Sequence, residues 1–317
     1  MEVIELQNIL SIVDKVDVVT AMETGFVQYS NGNTNVPPVA ELLFENPPGD
    51  VHIKYGYIKN ADYYCIKIAS GFYENPKHGI PSSQGMMMLF NQKTGQPVAL
   101  LKDEGHLTDI RTAAAGALAA KYFAPKKINA IGIIGTGTQA RLQLEYLKEI
   151  TPCRKVWVWG RSHENVSKYI EAMGESFDFH RAPDTEQLAA HCNLIVTTTP
   201  STVPVLAATD IRPGTHITAM GSDTSSKQEL DSNILHIADL IISDSISQSK
   251  SRGEVFQARK AGKILDEKVV ELGTAIQNGH MHRTSDDQIS VVDLTGVAVQ
   301  DIIISEAVYS NYMKNKE

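Results

Sequence analysis

Apolar and polar positions divide the chain into three textures. Over residues 11–28, Ile12, Val13, Val16, Val19 and Met22 recur at helical spacing, which predicts one amphipathic helix. Tyr29 to Pro48 is rich in Asn, Gly and Pro and reads as a loop. From Val51 to Asp103, runs crowded with Tyr, Ile and Val follow one another: VHIKYGYIK, YYCIKIASGF, GMMMLFNQ and PVALLKD. They are broken by turn residues at Asn60-Ala61-Asp62, Asn75-Pro76 and Lys93-Thr94-Gly95. A mostly antiparallel sheet is expected there. TDIRTAAAGALAAKYFAP then reads as an alanine-rich helix with Thr108 as its N-cap and Pro125 as its stop.

From Ile128 to Asp293 strand and helix alternate, with strands at INAIGII, KVWVWG, FDFHRA, NLIVTTT, THITAM, ADLIISD and ISVVDL. Such alternation predicts a parallel sheet covered on both faces. The last helix, Val297 to Tyr312, is expected to return to the first domain. The predicted fold is therefore α/β. An α+β substrate and dimerisation domain spans 1–120 and is completed by 297–317, and a Rossmann dinucleotide-binding domain spans 121–296.

Composition changes this picture little. The 317 residues are 42% apolar and 21% charged, ordinary globular usage in a chain long enough for two domains. A formal charge of -8 gives no electrostatic reason to expect nucleic acid or an anionic membrane as a partner. Cys65, Cys153 and Cys192 form neither a metal-ligand spacing nor a redox pair, which fits a reducing compartment and no metal site. The N-terminus carries acids among its apolar residues, unlike a signal peptide, and no apolar run reaches the roughly 18–20 residues that cross a bilayer. Cytoplasmic residence is the resulting expectation.

The most informative stretch is INAIGIIGTGTQARLQLEYL, in which an apolar strand runs into Gly135-x-Gly137-x-x-Ala140 and a helix starts at once. The first glycine permits the tight turn, the second lets backbone approach a pyrophosphate, and the small Ala140 lets helix and strand pack closely. Thr138 and Gln139 then open the helix whose free N–H groups hold phosphate. The next strand ends in Trp159-Gly160-Arg161-Ser162, where an acidic residue would bind a ribose 2′-hydroxyl, and none is there. Arg161 and Ser162 suit a 2′-phosphate instead, so NADP(H) is the expected cofactor and NAD(H) the alternative. At later strand ends and at the last helix, Thr197, Thr198, Gly221 and Gly296 are further cofactor candidates.

Hydride transfer to an imine beside a carboxylate needs a cation for the carboxylate and an acid for the nitrogen. Three residues invite these roles: Lys67 in the middle of a strand, Arg111 in the first turn of the alanine-rich helix, and Asp223 after a Rossmann strand. Each also has an ordinary reading, as an edge-strand charge, a surface ion pair and a turn residue respectively. If Asn60-Ala61 closes a two-residue hairpin, Lys54 stands directly opposite Lys67 on the same sheet face. A three-residue loop would send Lys54 to the other face. Lys54 is thus a candidate carboxylate anchor.

LTDIRTAAAGALAAKY, GIIGTGTQA, MGSDTSSKQELD and TGVAVQD together resemble the ornithine cyclodeaminase and mu-crystallin family over nearly the whole chain. SGFYENPKHGIPSSQG and AMGSD with KQELD look most like its ectoine-utilisation protein C branch, itself similar to iminosuccinate reductases. The resemblance implies Lys67 and Asp223 as a catalytic pair, Arg111 and Thr112 at the junction of substrate and nicotinamide, and a homodimer formed through the first domain. Many members carry a carboxylate-binding arginine shortly after a first-domain proline, but NVPPVAEL offers only Val39, Ala40 and Glu41 there. The leading expectation is an NAD(P)H-dependent imine reductase, in reverse an amino-acid dehydrogenase, acting on a small amino or imino acid. The alternatives are a cyclodeaminase with catalytic NAD and an NADPH-loaded binding protein of mu-crystallin type.

Overall fold

The computed structural model describes residues 1–72 and 74–316, so Tyr73 and Glu317 lie outside the described residues. The chain divides into two units, Met1–Arg111 with Val297–Glu317, and Thr112–Gly296.

The first unit begins with β1 (Glu2–Glu5), α1 (Leu6–Val13) and α2 (Val18–Ser30), followed by β2 (Thr34–Asn35), β3 (Ala40–Glu45), β4 (Pro48–Ile58), β5 (Tyr63–Phe72), β6 (Ser83–Asn91) and β7 (Pro97–Lys102). The single helix expected over 11–28 is two, because Asp17 starts a new one: its carboxylate accepts from the Thr20 N–H at 3.0 Å. The expected loop of 29–48 contains β2 and β3. AELLFE pairs antiparallel with β4 around the Asn46-Pro47 turn, a hairpin hidden by the flanking Asn and Pro residues. The sheet order is β1-β7-β6-β5-β4-β2, with β3 also on β4, and among the described residues only β1 pairs in parallel.

Register builds one buried row across this sheet. Lys54 stands opposite Lys67, Lys67 opposite Met87, and Met87 opposite Leu101, all four of them buried. The expected hairpin register holds, helped by Asn60 at φ 66 in the turn. The C-terminal α10 (Ala298–Lys314) packs on β4, β5 and β6 and on α2, covering the row.

The division between units falls inside α3 (His106–Phe123). Thr108 is inside this helix and is not its N-cap; the Asp103 carboxylate, from ahead of the helix, accepts from the Leu107 N–H in its first turn at 2.9 Å. An acid ahead of the first turn serves the exposed amides better than a hydroxyl within it.

The second unit carries β8 (Ile131–Ile134), α4 (Thr138–Leu147), β9 (Lys155–Trp159), α5 (His163–Met173), β10 (Asp178–Arg181), α6 (Thr185–His191), β11 (Leu194–Thr197) and β12 (His216–Ala219). There follow α7 (Ser232–Ile237), β13 (Leu240–Ser243), α8 (Gly253–Lys260), β14 (Val269–Glu271), α9 (Leu272–Gln277) and β15 (Ser290–Asp293). All eight strands are parallel, in the order β10-β9-β8-β11-β12-β15-β13-β14. β8, β11, β12 and β15 are buried at every residue, as strands covered on both faces must be. This is a doubly wound Rossmann sheet. Its strand order reverses between β8 and β11.

Candidate functional site

The reversal leaves a crevice outside the carboxyl ends of the strands, where ligands bind in such sheets. A cavity of about 500 Å³ opens there, lined by Gly135, Gly137, Gly160, Arg161, Ser162 and Thr198 among others. The two motif glycines are required for different reasons. Gly135 sits at φ 125, and a Cβ on it would lie 2.3 Å from the Thr198 hydroxyl, so the fold itself excludes any other residue. A Cβ on Gly137 would meet nothing within 4 Å. In dinucleotide turns the second glycine lets the backbone approach the ligand's pyrophosphate closely. Gly137 is also the N-cap of α4 and no side chain caps this helix, which leaves amides and the positive helix end facing outward. The donor set fits the pyrophosphate of a dinucleotide.

Farther along the cavity, Arg161 is exposed and Ser162 accepts from the Asn165 N–H at 3.3 Å as the N-cap of α5. Ser162 thus caps α5 as an acceptor, and its O–H is still available as a donor toward the cavity it lines. Trp159, Thr199 and Ser201 also line the cavity and were not among the sequence candidates, although they too end or follow strands.

In the first unit the buried row carries charge. Lys67 is 2% exposed, and its ammonium lies 3.8 Å from Asp301 Oδ2. Asp301 Oδ1 accepts from Arg111 Nε at 3.1 Å. Gln300 completes the mount: its Oε1 accepts from Arg111 Nη1 at 3.2 Å and its Nε2 donates to the Arg111 carbonyl at 3.1 Å. Burial pushes the Lys67 pKa down; Asp301 pulls it up again, and Arg111 adds to the lowering. Asp103 is raised to about 6, mainly by burial, against the hydrogen bond from Leu107 and the charge of Lys67. Lys54, Lys67 and Arg111 are thus brought together with two acids, Asp103 and Asp301, that the sequence reading missed. The only signal for Asp301 was a charged residue within the otherwise apolar opening of the last helix.

Other candidates fall elsewhere in the second unit. Asp223 is half-buried and pairs with Lys227 at 2.6 Å. Thr138 is the first residue of α4, Gln139 accepts from Gln143 through its side chain, and Ala140 is buried against β8. The Thr112 carbonyl accepts from Gln143 at 3.1 Å. Thr197, Gly221 and Gly296 do not line the cavity. Thr197 is fully buried with its hydroxyl on Glu229, the Gly221 N–H donates to the same carboxylate, and the Gly296 N–H donates to Asp244 at 2.7 Å.

Comparison with known proteins places these features in a family. The model of the ornithine cyclodeaminase/mu-crystallin family matches residues 2–316. The chain belongs to this family. It is 34% identical to the alanine dehydrogenase of Archaeoglobus fulgidus, over 96% of this chain and 93% of that protein. It is 33% identical to the iminosuccinate reductase of Paracoccus denitrificans, over 86% of this chain and 84% of that one. The structure of the Δ1-pyrroline-2-carboxylate reductase of Thermococcus litoralis, in complex with NADH and L-proline, superposes with a TM-score of 0.92 at 26% identity, covering 100% of this chain and 98% of the other.

Proposed function

We propose that this member of the family is a nicotinamide-dependent oxidoreductase that reduces a small α-imino acid and, in reverse, oxidises the corresponding amino acid. The observation that carries the reading is the buried lysine row beneath α10, in a chain whose other unit holds a cavity suited to a dinucleotide. The nicotinamide, when bound, supplies or accepts the hydride at the α-carbon.

The remaining chemistry is assigned to side chains, unit by unit. An imine accepts hydride far better when its nitrogen is protonated, so the site needs an acid that holds a proton near neutral pH and can release it. Lys67 is assigned that role: burial lowers its pKa, and Asp301 beside it favours the protonated form. Arg111, held by Asp301 and Gln300, presents a fixed guanidinium to a carboxylate. Lys54, opposite Lys67 and 7% exposed, is the second carboxylate anchor, taking the place of the arginine that the Pro38 region lacks. Asp223 takes the second proton-handling role.

Gly135, Gly137, Thr138 and Thr198 are assigned to the pyrophosphate, and Arg161 to a 2′-phosphate, which makes NADP(H) the preferred cofactor. The support is the missing acid after β9 and an exposed guanidinium lining the cavity. The chain is also read as a cytoplasmic homodimer joined through the first unit. Its three cysteines are unpaired, and Leu42, Leu43 and Phe44 on β3 are 54%, 74% and 44% exposed, an apolar strand that water alone would cover poorly.

The test is a screen of NADPH and NADH oxidation with 2-oxo acids plus ammonia, with oxaloacetate plus ammonia, and with cyclic imines. Imine-dependent NADPH oxidation that disappears in Lys67→Met supports the reading. Ammonia release from ornithine without net dinucleotide turnover overturns it in favour of a cyclodeaminase. In the same assay Arg161→Asp raises KM for NADPH at least tenfold more than for NADH, whereas equal losses remove Arg161 from the phosphate site. Light scattering at micromolar concentration gives the mass of a dimer, and Leu43→Asp lowers it.

A further inference from the structure

Behind the cavity, at the carboxyl edge of the second unit's sheet, Glu229, Glu254 and Asp293 stand in series, all buried. Asp293 Oδ2 accepts from the Val255 N–H at 2.9 Å and so fixes the start of α8. Glu254, in the first turn of α8, accepts from the N–H groups of Glu229 and Leu230 at 2.7 and 3.2 Å. Glu229 is thereby held at its backbone, and its side chain does the rest. Oε1 accepts from the Thr199 N–H and hydroxyl at 2.5 and 2.8 Å; Oε2 accepts from the Thr197 hydroxyl at 2.7 Å and the Gly221 N–H at 2.8 Å.

Oε1 therefore holds Thr199 alone, whereas Oε2 ties Gly221 to Thr197 at the end of β11. Thr199 lies in the segment after β11 that lines the cavity, whereas Gly221 opens the turn after β12 that carries Asp223. The two loops are pressed together at this point: a Cβ on Gly221 would lie 2.1 Å from the Thr199 carbonyl oxygen and 2.5 Å from Glu229 Oε2. The glycine is there because the carboxylate must reach past it.

We infer that Glu229 is a positioning residue that couples the dinucleotide cavity to the turn bearing Asp223, with Oε1 on Thr199 and Oε2 bridging Thr197 and Gly221. The role of Asp223 in this statement rests on the function proposed above; the coupling between the loops does not. Four donors on two oxygens use the full acceptor capacity of a carboxylate. Glutamine keeps one oxygen, so it can serve one loop but not both. Aspartate keeps the charge but draws both oxygens back by a bond length.

Hydrogen exchange read at the Thr199 and Gly221 amides, with and without saturating NADPH or NADH, tests the coupling directly. In the wild-type protein the dinucleotide slows exchange at both amides, although Gly221 does not line the cavity. In Glu229→Gln one of the two exchanges at least tenfold faster in the free protein, protection by the dinucleotide no longer reaches both, and the amides of β8 exchange as before. Energy transfer from Trp159 to the reduced dinucleotide then gives a Kd raised about tenfold, and kcat falls together with the rise in KM. Glu229→Asp, with the charge retained, restores neither. Joint protection of Thr199 and Gly221 that survives in Glu229→Gln overturns the inference. So does wild-type protection confined to Thr199, which decides the matter if the variants do not fold. Failure of the wild-type chain to bind either dinucleotide would instead sink the function proposed above.

Discussion

The two units bury acids in opposite ways. In the first, Asp301 sits against Lys67 and Arg111, so charge meets charge. In the second, the hydrogen bonds described for Glu229, Glu254 and Asp293 all come from backbone amides and hydroxyls. The physical consequences differ. A buried ion pair is sensitive to loss of one partner, because the other is left uncompensated. An acid held by neutral donors is sensitive to pH, because burial favours its protonated form. The first arrangement pairs buried cations with an acid; the second ties backbone segments together. Each suits what its unit is proposed to do.

Removing a partner in the first unit has the largest expected effect. Asp301→Ala leaves Lys67 and Arg111 buried beside each other and costs about 3–5 kcal/mol, measured by urea unfolding at pH 7. A loss below about 1 kcal/mol would mean that neither buried cation depends on Asp301, breaking the contrast between the units.

The pH dependence is the next largest. Burial raises Glu229 and Asp293 to about 7, and Glu254 well above its ordinary value. Folded carboxyls with raised pKa hold protons that the unfolded chain releases, so their stabilising contribution is full below the ordinary carboxylate pKa and is lost as pH rises through about 7. Lys67, whose pKa is lowered, works in the other direction. The second unit should therefore melt a few degrees lower at pH 8 than at pH 5.5, with amide exchange assigning the transition to it. A melting point that is flat or rises over this interval would mean that the donors outweigh burial and keep the three acids ionised.

Glu254→Gln is the mildest change. It removes one acceptor from the pair of backbone amides and costs about 1–3 kcal/mol. The same variant flattens the pH slope of melting, whereas Asp301→Asn leaves that slope unchanged. If both variants alter the slope equally, the two clusters are not the separate devices described here.

Much of this architecture was legible beforehand because the signals are local. The buried strands of the second unit read as apolar runs, and the turn after β8 needs glycine at φ 125 whatever lies around it. Hairpin arithmetic placed Lys54 opposite Lys67, since a turn dictates the register of its own strands. The misses are also instructive. Asp17 has a helix-starting residue's partner three positions on, Thr20, yet apolar periodicity ran across it and two helices read as one. β3 pairs with its hairpin neighbour although it is exposed at every residue, so no burial pattern marked it.

By itself, then, the sequence determined the alternation of strand and helix, the dinucleotide turn, the family and the facing lysines, all of which depend on neighbours within a few residues or one hairpin. Tertiary structure alone decided which acids join them. Arg111 meets Asp301 across 190 positions of sequence, and Thr197 meets Glu229 across 32. A carboxylate in a sequence looks the same whether it will be solvated, paired with a cation or wrapped in amides. Only the elements packed around it remove the water and choose among the three.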